Sequence, residues 1–191
     1  MKRTVQFGLL TILVLLLTAC ATTQMTEVAA GQQVAGPAPG KALVYFLRPS
    51  MFGGAIQSTV YDGDQYIGTV SAGTHVAYQA DPGQHMFMVI GENADFMQAD
   101  LLADKTYSAV VAPRMGMWKA RFSLNPNNGQ YSDAQVREWL ESTKEVTVNA
   151  EGLRWAQENA ASIQQKKAED LPRWQAKPEA EKQILRAESG K

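Results

Sequence analysis

Side chains able to do chemistry are scarce in this chain, which holds two histidines, His75 and His85, and one cysteine, Cys20. A metal site or a general base would need one of them or a cluster of carboxylates. The histidines flank Asp81-Pro82-Gly83, where Pro82 presets φ and Gly83 supplies the positive φ of a type II turn. If that turn closes a hairpin, His85 opposes Ala80 and His75 opposes Ile90, roughly 17 Å apart and on opposite faces. A shared metal is therefore not expected. Asp62 and Asp64 are carboxylates of the kind calcium favours, but about six oxygen ligands are needed and only Asp81 and loop carbonyls remain to be recruited. Turn chemistry accounts for both. No G-x-S-x-G elbow occurs, no Ser/His/Asp spacing nominates a triad, and Ser50 to Ala55, SMFGGA, lacks the Lys-Ser/Thr of a phosphate loop. The expectation is no enzyme, no metal and no cofactor.

Binding is the chemistry that remains. Met51 and Phe52 sit beside Gly53-Gly54 in a connection expected to be exposed, and exposed apolar clusters mark contacts. The competing use of Phe52 is a lid folded over the end of the domain. Trp118, Trp139, Trp155 and Trp174 suit helix-to-sheet packing, with a ligand groove as the alternative. Met51, Phe52 and Trp174 are taken as the candidate contact surface.

Cys20 has a different use, set by what precedes it. Lys2 and Arg3 form a positive n-region and Phe7 to Leu17 an apolar core too short to span a bilayer, so residues 1–19 read as a signal peptide. Leu17-Thr18-Ala19-Cys20 resembles the bacterial lipobox, which implies acylation of the Cys20 thiol and cleavage after Ala19. Two chains on sulfur and a third on the new amine, commonly palmitate, bury far more methylenes than the single chain that gives only marginal membrane binding. Because Ala21 rather than aspartate follows Cys20, resemblance to the sorting rule of enteric bacteria places the product on the outer membrane, facing the periplasm. Lys2 and Arg3 leave with the signal, so 18 less two basic residues stand against 19 acidic ones and the mature charge is −3. Nothing in that balance favours nucleic acid. With Cys20 acylated no thiol is left for a disulfide, so the fold depends on its core.

The elements that position these residues follow from texture. Residues 20–40 are rich in Ala, Gly, Gln, Thr and Pro and predict a lipidated, flexible tether. "KALVYFLR", from Lys41, is apolar on both faces and suits a central strand. Short apolar segments then alternate with turn signals, Asp62-Gly63-Asp64, Ser71-Ala72-Gly73 and Asp81-Pro82-Gly83 among them, at intervals of about 8 to 12 residues. Residues 41–126 therefore predict an antiparallel β-sandwich of immunoglobulin or prealbumin-like type. After Asn125-Pro126-Asn127-Asn128-Gly129 the period changes, and residues 132–191 predict an α-helical extension. Its first helix is capped by Ser132 with Gln135, and its second carries the stripe Leu153, Ala156, Ala160, Ile163 and stops before Pro172. Pro178 to Lys191 has little to bury and reads as a solvated helix or frayed tail.

The pieces "PGKALVYFLRPS", "VYDGDQYIGTV", "GTHVAYQADPGQHMF" and "KTYSAVVAP", in this order behind a lipobox, resemble a family of uncharacterised bacterial lipoproteins with a small β-sandwich domain of unknown function. The likeness spans residues 40–124 and rests largely on turn formers, so it implies a fold and no activity. The function expected is that of a noncatalytic envelope interaction module, membrane-anchored through Cys20 and binding an envelope protein or wall component. A small-ligand-binding periplasmic module is the alternative, and an envelope hydrolase the third choice.

Overall fold

The computed structural model describes residues 24–54, 56–114 and 121–191. The signal peptide, Cys20 and Trp118 lie outside the described residues. Seven residues from Ala42 to Arg48 form β2, and every one is buried. On one side it pairs antiparallel with β5 (Thr74–Ala80), on the other in parallel with β8 (Thr106–Arg114). Around this centre the first sheet runs β1 (Met25–Glu27), β10 (Lys144–Val148), β5, β2, β8, β9 (Arg121–Pro126). The second runs β11 (Ile184–Leu185), β7 (Ala94–Leu101), β6 (Gly83–Ile90), β3 (Ser58–Asp62), β4 (Gln65–Val70).

Alternation explains why β2 is apolar throughout. Ala42, Val44 and Phe46 face the space between the sheets, where Phe46 meets Phe87 of β6 edge-on at 5.1 Å. Leu43, Tyr45 and Leu47 face outward, under Val34 and under Trp139 and Leu140 of α1 (Asp133–Ser142). The outer face of the second sheet, with Tyr61, Met88, Ile90 and Phe96, is covered by Trp155, Ile163, Leu171 and Trp174 of α2 (Ala150–Gln175). The protein is thus mainly β: two facing sheets with a helix on each outer surface. The pairing is mixed, because β10 with β5, β2 with β8, and β11 with β7 are parallel.

Ser132 caps α1 as its sequence predicts, accepting from the Gln135 amide at 3.2 Å, while the Gln135 side chain turns to Glu138 instead of closing the box. The mixed pairing departs from the antiparallel sandwich expected, and the expected helical extension, residues 132–191, contributes β10 to the first sheet. Four further features differ from expectation. The Asp81-Pro82 link, with Gly83 at φ +124°, does not close a hairpin: β5 belongs to the first sheet and β6 to the second. The same turn chemistry serves a corner between sheets, because it reverses the chain without choosing its neighbours.

Residues 24–40, expected to be a free tether, run over the first sheet. Met25–Glu27 pairs with β10, the Val34 amide donates to the Glu145 carboxylate, Ala38 to Gln79, and Gly40 to Asp104. α2 does not stop before Pro172 but runs to Gln175. A proline in the last turn removes one intrahelical bond, and burial of Trp174 offsets the loss. Its buried stripe includes Gly152, Ile163 and Trp174, one position away from Leu153, which is exposed. Finally, residues 178–191 form neither a solvated helix nor a frayed tail. Leu185 is fully buried beside β7, and the Lys191 and Thr106 main chains exchange both hydrogen bonds at 3.0 and 3.1 Å.

Candidate functional site

Alternation along β2 places Arg48 on the same side as Phe46, facing inward at the end of the sandwich. Its guanidinium is fully buried, lies 4.8 Å from the centre of the Phe122 ring, and has no acidic partner among the described residues. Main-chain carbonyls solvate it instead. One terminal nitrogen donates to Ile56 O at 2.6 Å and Val70 O at 3.3 Å, the other to Gly53 O at 2.9 Å and Phe52 O at 3.3 Å. Burial lowers its pKa from the usual value, and Nε finds no partner among the described residues.

Within loop 49–57 the carbonyls of Phe52, Gly53 and Ile56 are therefore turned in toward an internal cation. The consequence is that the loop's large side chains turn out: Met51 is 71 % exposed, Phe52 59 % and Ile56 41 %. Met51 and Phe52 thus lie on the surface, and Phe52 is no lid. Ile56 joins them and was missed, since a single isoleucine beside a strand reads as part of that strand. Arg48 closes the KALVYFLR strand, and its inward parity is legible from the period of β2.

Trp174, the third residue expected on the contact surface, is 4 % exposed and does not belong there. Eleven residues, three helical turns, separate it from Ile163, so both face the second sheet. Its ring packs on Phe96 at 6.3 Å and its indole N–H donates to Gln183 Oε1 at 2.8 Å. Gln183 in turn donates to Asp95 at 2.6 Å. Trp155 packs against Tyr66 of β4 and Trp139 against the outward face of β2, both in the helix-to-sheet role, and Trp139 also meets Tyr131 at 4.9 Å.

Of the polar candidates, Asp62 and His85 meet each other and the Asp81 main chain, while Asp64 and His75 are held elsewhere. Asp62 accepts from His85 Nδ1 at 2.7 Å and from the Tyr78 hydroxyl at 3.0 Å, while His85 Nε2 meets the Asp81 carbonyl at 2.8 Å. Asp64 holds Gln164 and Lys167 of α2 at 2.9 and 2.6 Å, and these bonds keep its carboxyl below the ordinary range. Asp81 pairs with Lys41 at 2.6 Å, which lowers it likewise.

His75 lies in the other sheet, opposite Leu47, where it is buried. The Thr143 hydroxyl donates to Trp139 O at 2.6 Å and so accepts from His75 Nδ1 at 2.8 Å. Nε2 stands 3.5 Å from Glu145, which receives the Val34 amide. Burial pulls His75 down to about 4 and pushes Glu145 up, so the interior favours the neutral form of each. Thr143 and Glu145 were missed because sixty-eight residues separate His75 from Thr143.

A cavity of about 430 Å³ opens where α1, the start of β8 and residues 186–191 meet. Tyr131, Asn127, Arg137, Arg186 and Lys191 line it with the outer face of Tyr45. Pairing of the C-terminal residues with β8 builds this wall, which no local motif announces. Compared with known families and with curated proteins, the chain matches none.

Proposed function

We propose that the protein is a lipid-anchored, noncatalytic module of the bacterial envelope, held on the outer membrane through acylated Cys20, facing the periplasm, and making its contacts through loop 49–57. The observation that carries this is the group Met51, Phe52 and Ile56, three large apolar side chains of one loop left in water while its main chain is pinned to Arg48. Isolated exposed leucines are ordinary on any surface, but an apolar cluster on an ordered backbone loses little entropy when a partner covers it. Membership of the uncharacterised lipoprotein family, and an immunoglobulin or prealbumin-like type for the sandwich, belong to the same proposal. Its support is the lipobox and the motif order in the sequence.

A photocrosslinking residue at position 52 in living cells tests the surface. The expected result is a discrete adduct to an envelope component that disappears in Cys20→Ala. No adduct from a folded, correctly anchored chain would sink it.

The 430 Å³ cavity favours a second reading, a small-ligand-binding module, since its size falls within the range of ligand pockets and Arg137 and Arg186 offer cations to an anionic group. A ligand bound there raises the thermal midpoint, and Arg186→Ala reduces that rise.

A further inference from the structure

The point where the chain leaves the fold toward Cys20 is fixed. The Gln24 carbonyl accepts the Asn149 amide at 3.3 Å, its side chain accepts the Thr69 hydroxyl at 2.5 Å, and Met25 pairs with Val148. Gly152 lets it pass, because a Cβ there would lie 2.2 Å from the Gln24 carbonyl oxygen. Gln24 also shares the walls of a 290 Å³ cavity with Ile56, Gln57 and Trp155. Of the large apolar side chains exposed among the described residues, Met51, Phe52 and Ile56 belong to the loop beside this exit, and Leu153 follows Gly152. Leu102 alone lies at the far end, after β7. Only four residue steps separate Gln24 from Cys20, at most about 14 Å of extended chain.

If Cys20 carries lipid, as proposed above and as this inference requires, the domain cannot stand away from the bilayer. We propose that the partner of loop 49–57 is the leaflet that holds the Cys20 acyl chains, with Met51, Phe52 and Ile56 inserted at the headgroup boundary. Pro49 to Gln57 contains no charged residue, so no ionised side chain of the loop opposes transfer out of water. Arg114 and Arg121 face each other across the β8–β9 pair at the same end and are 55 % and 46 % exposed; Arg114 stands 3.9 Å from Asp95 and Arg121 3.3 Å from Glu92, and exchange of these exposed contacts for lipid phosphates places both cations at the rim of the inserted loop. Apolar groups wedged between headgroups with cations at the rim are the recurrent pattern of peripheral insertion. A short leash and an apolar loop together orient the domain, where the leash alone would let it roll.

The test uses the mature acylated chain in vesicles of phosphatidylethanolamine with a minor share of phosphatidylglycerol. Mass spectrometry of the N-terminal peptide comes first, and an unacylated Cys20 would overturn the proposal at its premise. Since acylation consumes the native thiol, Phe52→Cys supplies a unique site for an environment-sensitive fluorophore, and Leu102→Cys supplies the reference. Insertion predicts blue-shifted emission at position 52, quenched by lipids spin-labelled near the headgroup, with position 102 remaining water-like. Removing Met51 and Ile56 by aspartate should return the label to water and weaken vesicle partition of a Cys20→Ser chain roughly tenfold or more per side chain. Water-like emission at 52 on an acylated chain with an unchanged thermal midpoint would overturn insertion while leaving the anchor intact. So would a crosslink from position 52 to a protein.

Discussion

Phe52 and Trp174 are aromatic residues of similar apparent promise that the fold treats in opposite ways. Beneath Phe52 lies a buried cation, and the loop closes over it by turning its carbonyls inward, which leaves the ring 59 % exposed. Beneath Trp174 lies the apolar outer face of the second sheet, and the ring is drawn down onto Phe96 with its N–H satisfied by Gln183. The difference teaches that exposure of an aromatic side chain is decided by what the adjacent main chain must satisfy. A segment occupied with a charge shows its side chains to solvent; a segment whose backbone bonds are already satisfied in a helix can spend its side chains on the core.

The strongest way to break that contrast is Trp174→Ala. It should lower stability by about 4 kcal/mol, from lost burial and the cavity left under α2, and should loosen Gln183 and β11 with it. Chemical denaturation measures the loss, and a change below about 1 kcal/mol would mean that the Trp174 corner is not core.

Acid should come next, through the interior polar group on the opposite face. A histidine held at about 4 in the fold and near 6.5 in the unfolded chain contributes stability that is present above pH 6.5 and lost as pH falls through 4. The full loss is about 3 kcal/mol. Glu145, raised by burial, has the opposite sign: its contribution is present below the unfolded carboxylate value and lost as pH rises through the folded one. His75→Gln should therefore flatten the acid limb of a stability profile, while Glu145→Gln should steepen it.

Arg48→Met is expected to cost about 2 to 3 kcal/mol by orphaning carbonyls of loop 49–57, and to raise hydrogen exchange at Gly53 and Ile56. Unchanged exchange would show that the cation does not organise the loop. The smallest effect belongs to Phe52→Asp, which should leave stability within about 0.5 kcal/mol and abolish the contact made by the loop. Together the last two separate the support of the surface from the surface itself.

Much of the central architecture was legible. The apolar run from Ala42 to Leu47 sits in the middle of its sheet, Asp62 and Gln65 close the β3–β4 hairpin, and Ser132 caps α1. These follow from alternation, turn chemistry and capping, which act over a few residues. Exposure of Met51 and Phe52 was legible from two apolar residues beside two glycines. Trp174 was misplaced because the helix was expected to stop before Pro172, which left residue 174 off the face that Ile163 occupies; α2 runs on to Gln175 and carries both onto the second sheet.

Sequence by itself determined the strands between residues 42 and 126, the capped start of α1, and a loop without charge between two apolar runs. Tertiary structure alone decided that β5 and β6 part into different sheets, that residues 24–40 and 178–191 lie down on the domain, and that Arg48 becomes an internal cation. The physical reason is range. Local rules state how the chain turns and which face of an element is apolar, whereas partners such as Glu145 for Val34 or Thr106 for Lys191 are chosen when two sheets close on one core and their free edges must be satisfied.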